Sequence, residues 1–531
     1  MKVSTFGSDS SEKSDFDNAI CLTGYGRFHY QIIAVCALSI LVVGFQNGIL
    51  SYIFPAAQCE LHLTSFQQGL LNVAFLAGGT ISCFVWGILA DMVGRRSVLI
   101  ATHLLNASVT ILMSTNPYTG SLVACRFLNG FFIGGPGSII YSYFAEFQPP
   151  KYRTSSVCYC GLFFTVAWLL LPLLAHLVLP LTIEVTVGSL FVLTPWRLFL
   201  ILVALPEILV GLWLIRMPES PKFYVAKGCP RKALVVLRRM YATNSGRSPE
   251  YFPVKNLITE RNNEIGSGDK MMCQGRVARV LKEMGQQAKS LFVPPLLGIT
   301  VLTSSIMFAN MFGMFGLGLW LPELFIRFEQ FQTLHPNASI SVRELSSLPP
   351  PSKNLSCSPS LDASVIRSTV AMGVTSLLFN GLASYVSTKT TARVITMVTM
   401  LLGGVSAGLI YWMRSSMQNL VLACVFQATM IASNMSTAGI AVDLFPTKVN
   451  GIAVCMVVCA GRIGAVVSNF VFGFLMDKNC ELPIFIVTAV VILGGCLCFV
   501  VPIPKNREVI DMASSFGKND MEISVVSGKF R

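Results

Sequence analysis

Apolar runs of about 20 residues with few charges recur from Phe28 to Val501, and no other feature constrains this chain as strongly. A run of that length crosses the ~30 Å hydrocarbon core of a bilayer as a helix. Only a helix or a closed barrel satisfies its own backbone polar groups there. Composition agrees: 53% of the 531 residues are hydrophobic and 12% are charged, against about 25% charged in an average soluble protein. Length alone would suggest several soluble domains, but the apolar runs overrule it. The first 25 residues are polar and hold no apolar core, unlike a cleaved signal peptide.

Twelve spans are expected, at about 29–53, 65–90, 97–114, 119–145, 153–179, 194–216, 292–321, 363–387, 393–413, 418–441, 449–475 and 481–503. Basic residues collect in alternate loops. The 2–3 loop holds Arg95 and Arg96, the 4–5 loop Lys151 and Arg153, and the 8–9 loop Lys389 and Arg393. The 1–2 and 3–4 loops contain no Lys or Arg, so the positive-inside rule places both termini in the cytoplasm. The same alternation accounts for the +13 net charge and argues against nucleic-acid binding.

The resulting plan is a cytoplasmic tail (1–28), a six-span half (29–216), a basic cytoplasmic loop (217–291), a second half (292–503) with an external loop at 324–362, and a cytoplasmic tail (504–531). In the central loop, Arg231 to Tyr241 reads as a basic amphipathic helix, either lying on the anionic inner leaflet or linking the halves in solvent. The external loop carries two glycan acceptors, at Asn337 and Asn354. Most of the sixteen cysteines sit inside apolar runs, where they act as small hydrophobes, and their spacing suggests no metal. Cys59, Cys357 and Cys480 fall in external loops and could pair, leaving one over. Glu146-Phe-Gln-Pro-Pro-Lys151 after span four and Asp443-Leu-Phe-Pro-Thr-Lys448 after span ten repeat acid, proline and lysine at the same spacing. Such repetition is expected of a two-half transporter.

Three motifs carry a resemblance. Gly87-Ile-Leu-Ala-Asp91-Met-Val-Gly94-Arg95-Arg96 resembles the G-x-L-A-D-x-x-G-R-R signature of the major facilitator superfamily throughout its length. Gly87 would let two helices approach closely. Asp91 would cap a helix of the other half and pair with Arg95 as an inner latch. The copy after span eight, Gly381 to Lys389, lacks the acid and the Gly-Arg-Arg. Arg126 to Gly135 resembles the family's R-x-x-x-G-x-x-x-G stretch, its glycines forming a packing face; its arginine is expected near the external end, where a snorkelling anchor is the alternative to a functional role. Pro218-Glu219-Ser220-Pro221-Lys222-Phe223 resembles the P-E-S-P-R motif of sugar porters and organic-ion transporters. With Glu146 and Arg153 it implies an inner charge network.

Within that superfamily the chain is most similar to a divergent member of the synaptic vesicle glycoprotein 2 group, on Gly26 to Tyr30, Tyr143 to Phe147, the Pro218 motif and Phe315 to Pro322. Val43 and Gln46 stand where that group carries acids in span one. The resemblance implies an all-α membrane protein of major facilitator fold, twelve helices in two six-helix halves around a mid-membrane cavity.

Ionisable groups within spans are costly, by ~2.5 kcal/mol or more, and so point to function. Arg462, in Gly461-Arg462-Ile463-Gly464-Ala465, resembles the span-eleven arginine that accompanies anionic substrates in organic-ion transporters. Gln46, Asn47, Trp168 and Trp320 are further candidates to contact substrate, and Glu207 is a candidate for proton coupling. No Walker loop, H-E-x-x-H or G-x-S-x-G is present, so neither an enzyme nor a cofactor is expected. The expected function is secondary transport of a small anionic or polar organic solute, with a coupling ion as a further candidate partner. The alternative is a carrier-shaped vesicle regulator or receptor. Plasma membrane and secretory or synaptic vesicle membrane both fit.

Overall fold

Helices form wherever the apolar runs fall, because backbone in hydrocarbon must close its hydrogen bonds within its own segment. The computed structural model describes residues 13–61, 63–116, 118–187, 191–257, 285–286, 288–334, 363–387, 389–413, 415–446, 449–476 and 481–502. Asn337, Asn354, Cys357, Lys448 and Cys480 lie outside the described residues, as does the side chain of Cys59.

A short helix α1 (Phe16–Cys21) precedes the first span, α2 (Arg27–Gly48), which α3 (Leu50–Leu61) continues. Helices α4 (Ser65–Val93), α5 (Arg95–Thr115), α6 (Thr119–Ala145), α7 (Pro150–Val178) and α8 (Pro195–Arg216) follow. Two helices then lie outside the spans, α9 (Pro221–Ala226) and α10 (Pro230–Ser245). The second series is α11 (Leu296–Phe315) with α12 (Leu317–Leu334), α13 (Ala363–Ser387), α14 (Ala392–Ile410), α15 (Ser416–Leu444), α16 (Asn450–Leu475) and α17 (Glu481–Leu497). Among the described residues ten helices are long and apolar enough to cross a membrane. The bent pair within α4 makes an eleventh span and the shorter apolar α17 a twelfth. The seventh span runs further than its apolar stretch: Leu324, Phe325 and Phe328 stay buried and carry the helix past residue 324, where an external loop was expected.

Strand structure is slight. β1 (Lys13–Ser14) pairs in parallel with a later strand, and β2 (Val185–Val187) pairs antiparallel with β3 (Phe191–Leu193) between α7 and α8. The partner of β1 is β4 (Asn256–Leu257).

Two compact units divide the chain. One is Met1–Ser267 with Pro322–Ile326 and Pro351–Leu377, and the other is the remainder. Lipid supplies no hydrophobic drive between apolar helices, so small residues and close contact must hold each unit together. In the first unit, a Cβ at Gly130 would lie 1.8 Å from the Phe75 carbonyl oxygen, and one at Gly134 would lie 1.9 Å from Ser82 Oγ. The glycines of the span-four motif thus let α6 meet α4 backbone to backbone. In the second unit, Gly464 of α16 stands in the same way against the Phe308 carbonyl of α11.

An arginine tie recurs in both units. Arg96, in the first turn of α5, donates from Nε to the Leu214 carbonyl (2.9 Å) and from Nη2 to that of Ile215 (2.5 Å), at the end of α8. Arg393, in the first turn of α14, donates likewise to the carbonyls of Cys498 (2.9 Å) and Phe499 (2.7 Å), just past α17. Each tie satisfies helix-end carbonyls that have no partner within the helix.

The start of the central loop folds back onto the first unit. Ala233, Leu234, Val236, Leu237 and Met240 of α10 are buried in one core with Ala19, Ile20, Phe28, Phe252, Val254 and Leu257. Protein therefore covers the apolar face of this helix, so that face is neither sunk into a leaflet nor left bare in solvent as in a simple linker. Asn244 fastens it: its Oδ1 accepts from the Phe28 amide (3.0 Å) and its Nδ2 donates to the carbonyls of Thr23 (3.1 Å) and Gly24 (2.9 Å).

Candidate functional site

The interior of the first unit holds a polar network built by four spans. Gln46 of α2 is fully buried and stands between two opposite charges. Its Oε1 accepts from Arg126 Nη1 of α6 (3.4 Å), and its Nε2 donates to Glu207 Oε1 of α8 (2.7 Å) and to Thr110 Oγ1 of α5 (3.0 Å). Arg126 also donates to the Gln46 carbonyl (3.2 Å), and Asn106 of α5 donates to Glu207 Oε1 (2.8 Å). An amide suits the place, because one end accepts from the guanidinium while the other donates to the carboxylate. Glu207 Oε2 is buried and has no hydrogen-bond partner among the described residues.

This arrangement decides an alternative for Arg126 and corrects the expectation for Gln46. Arg126 is no snorkelling anchor: it is 1% exposed, and its guanidinium lies 4.2 Å over the Phe75 ring. Internal partners and the ring face together compensate a buried cation that would otherwise seek the interface. Gln46 is fully committed to protein partners and lines no open surface. Asn47, next along α2, is half-buried and donates to the Val43 carbonyl of its own helix (2.7 Å). Trp168 of α7 is also half-buried, with its ring 3.7 Å from where a Cβ on Gly48 would lie. Its buried Nε1 has no hydrogen-bond partner among the described residues. Asn47 and Trp168 therefore flank the α2–α7 seam with surface to spare.

A second network gathers where α4 meets α5. Gly94 turns the chain at φ +115°, and a Cβ there would lie 2.4 Å from Glu219 Oε2. The Glu219 carboxylate accepts the Arg96 amide through both oxygens (3.0 and 3.1 Å), an anion seated on the N-terminus of α5. Arg95 Nη1 pairs with Glu146 Oε2 at 2.6 Å, and the same oxygen accepts from Ser220 Oγ. Tyr143 donates to the Pro218 carbonyl (2.7 Å). Asp91 is largely exposed, with its carboxylate 3.6 Å from Arg95.

Arg153 departs from the expected grouping, since its ion pair is with Asp17 of α1 at 3.1 Å. It sits in the first turn of α7, where Asp17 of α1 reaches it, and Glu146 is already taken by Arg95. Gly87 departs too: among the described residues nothing lies within 4 Å of a Cβ placed there, so it marks no close helix contact. Ser220, Tyr143, Asn106 and Thr110 were not foreseen. A hydroxyl or amide carries no signal in sequence until its partner's position is known.

In the second unit Arg462 lies on α16, half-buried, while its neighbours Gly461 and Gly464 pack against Met307, Met311 and Phe308 of α11. Trp320 is fully buried; its Nε1 donates to Asn469 Oδ1 (3.4 Å) and its ring lies against Phe472. It is a core residue and not a cavity wall, because none of its surface is exposed. Asp443 lies exposed near the end of α15.

Twelve apolar spans, buried ionic clusters inside the bundle and an ordered charge network at one set of loops define an integral membrane protein of the many-helix carrier architecture. A family model described as Major Facilitator Superfamily matches residues 36–334, and the chain belongs to that superfamily. Synaptic vesicle glycoprotein 2A of Rattus norvegicus is 27% identical over 312 residues, covering 57% of this chain and 42% of that protein. Synaptic vesicle glycoprotein 2B of Homo sapiens is 29% identical over 318 residues, covering 58% of this chain and 46% of its own length. The match thus spans less than half of each relative. Among solved structures, the partially occluded inward-open form of the xylose transporter XylE from E. coli superposes with TM-score 0.62 at 16% identity, over 89% of this chain and 98% of its own. A crystal structure of a D-xylose-proton symporter superposes with TM-score 0.61, also at 16% identity, over 90% of this chain and 98% of that one. These likenesses carry the fold.

Proposed function

We propose that the protein is a secondary transporter that moves a small organic solute, anionic or polar, by alternating access. The observation that carries this reading is the ordered charge network of Arg95, Arg96, Glu146 and Glu219 around Gly94. Such an assembly, an Arg95–Glu146 ion pair beside a carboxylate seated on a helix N-terminus, can break and reform at the loop ends and so suits a gate. Asp91, Arg95, Arg96, Glu146 and Glu219 act as that inner gate, with Asp443 and Lys448 as the related loop of the second half. Arg462 takes the solute's negative charge, and Asn47 and Trp168 contribute a hydrogen bond and a flat apolar wall. Glu207 is the proton-coupling group, with Oε2 open to receive a proton while Oε1 stays held by Gln46 and Asn106. Both termini face the cytoplasm, which puts the acceptors Asn337 and Asn354 outside.

The test is uptake by proteoliposomes of a panel of organic anions, cations and neutral solutes, with and without a pH gradient. Loss of the Arg462 guanidinium in Arg462→Ala raises KM for an anionic solute by about tenfold or more, the worth of a charge-assisted hydrogen bond. The Glu207→Gln variant loses the response to the pH gradient. The second reading, a vesicle regulator or receptor without transport, draws on the likeness to synaptic vesicle glycoproteins and on Gln46 in place of a span-one acid. Folded protein that moves no solute under any gradient selects it.

A further inference from the structure

We propose that the end of α8 at the Arg96 loop is a binding site for an anionic phospholipid. Three observations meet there. First, Leu209, Leu212, Trp213, Ile215 and Arg216 line an open groove of about 440 Å³. Leu209, Leu212 and Ile215 are 53%, 53% and 49% exposed, an apolar face directed out of the bundle. Second, three guanidinium groups cluster at the groove's head. Arg216 lines it, Arg96 is pinned by the carbonyls of Leu214 and Ile215, and Arg239 of α10 donates to the Arg216 carbonyl at 2.9 Å. Third, the carboxylate nearest this cluster along the chain, Glu219, is buried and turned to the amides of Arg96 and Ser220, so it takes up none of the guanidinium donors.

The chemistry points to one occupant. The groove offers an acyl chain a contiguous apolar wall, and its head offers a phosphate several N–H donors at the depth of the headgroups. Because Arg96 and Arg239 are already fixed by backbone carbonyls, little side-chain entropy remains to be lost on binding. A solvated basic patch would lack the groove, and a lipid-facing apolar strip would lack the arginines. A lipid seated here would touch α8, α5 and α10 together, and so tie the bilayer to the helix that bears Glu207 and to the loop that bears the gate. The site needs only the membrane position of α8; the orientation proposed above decides merely which leaflet supplies the lipid.

Native mass spectrometry of the full-length protein tests it, after equilibration in detergent with equal phosphatidylserine and phosphatidylcholine. Wild type should retain one phosphatidylserine in preference to phosphatidylcholine. Arg216→Gln should lower that retention about fivefold, the worth of one basic residue beside an anionic lipid. Arg216→Lys should keep most of it. Arg231→Gln removes an exposed charge of α10 outside the groove and should change nothing. Equal retention of both lipids by wild type, or equal loss in Arg216→Gln and Arg231→Gln, would overturn the site. Displacement of the lipid by millimolar inorganic phosphate alone would do so as well, since the groove would then contribute nothing. Uptake is not the readout, so failure here and failure of the transport reading remain distinguishable.

Discussion

Two glycines of the same loop motif, Gly87 and Gly94, behave differently once their surroundings are known. Gly94 adopts φ +115°, where L side chains are strained, and its missing Cβ leaves room for the Glu219 carboxylate. Gly94→Ala should lower stability by about 1–3 kcal/mol from backbone strain, with more from displaced Glu219. Gly87→Ala meets open space within a helix and should be neutral, or stabilising by up to ~1 kcal/mol. Thermal unfolding of the two variants in detergent checks the contrast; equal effects would refute it. Burial pushes the Glu146 carboxyl above its ordinary value, against the pull of Arg95, Ser220 and Lys222. The native state therefore binds more protons than the unfolded one in that window. The contribution of Glu146 to stability is complete below the ordinary carboxyl pKa and is lost as pH rises through the raised value. The melting temperature of wild type minus that of Glu146→Gln should fall as pH rises from the ordinary carboxyl range toward neutrality. A difference that grows with pH would reverse the assignment.

At the scale of elements, helices were legible because each apolar run must satisfy its backbone alone, without help from distant residues. What a helix packs on was not legible. The basic amphipathic pattern of α10 fits a leaflet, a linker or a protein core equally well. Only the burial of Val236, Leu237 and Met240 with Phe28 and Phe252 decides for the core. Asn244 is the fastening of that element. Asn244→Ala leaves the Phe28 amide and two carbonyls without their side-chain partner, an expected loss of about 1–3 kcal/mol. The loss should be local. Hydrogen exchange should quicken in α1 and α10 while α11 to α17 stay unchanged, and uniform quickening would show that Asn244 supports more than this contact. The matching ties of Arg96 and Arg393 belong to this scale as well. They repeat although the surrounding motifs have diverged, because helix-end carbonyls need donors in both units.

For the whole molecule the informative residue is Asp91. Its side chain is 72% exposed and its contact with Arg95 is long, at 3.6 Å, so it adds little to the fold of its own unit. Asp91→Asn should fold and melt like wild type yet lose turnover, if the acid serves the gate by engaging another part of the molecule in one state of the cycle. Uptake and thermal unfolding measured on the same preparation check this, and unchanged uptake removes Asp91 from the gate.

The sequence by itself determined the class of fold, the number of spans, the superfamily and the chemical groups present at the loop ends. These follow from demands that a bilayer makes on each segment separately, and from short motifs whose residues lie side by side. Tertiary structure alone decided which charge meets which. Gln46 reaches Arg126 across 80 residues and Glu207 across 161, and Arg153 finds Asp17 instead of Glu146 across 136. Those pairings depend on the rotation and depth of each helix. Rotation and depth are set by where glycines allow backbones to touch, not by the apolar pattern that makes the helix.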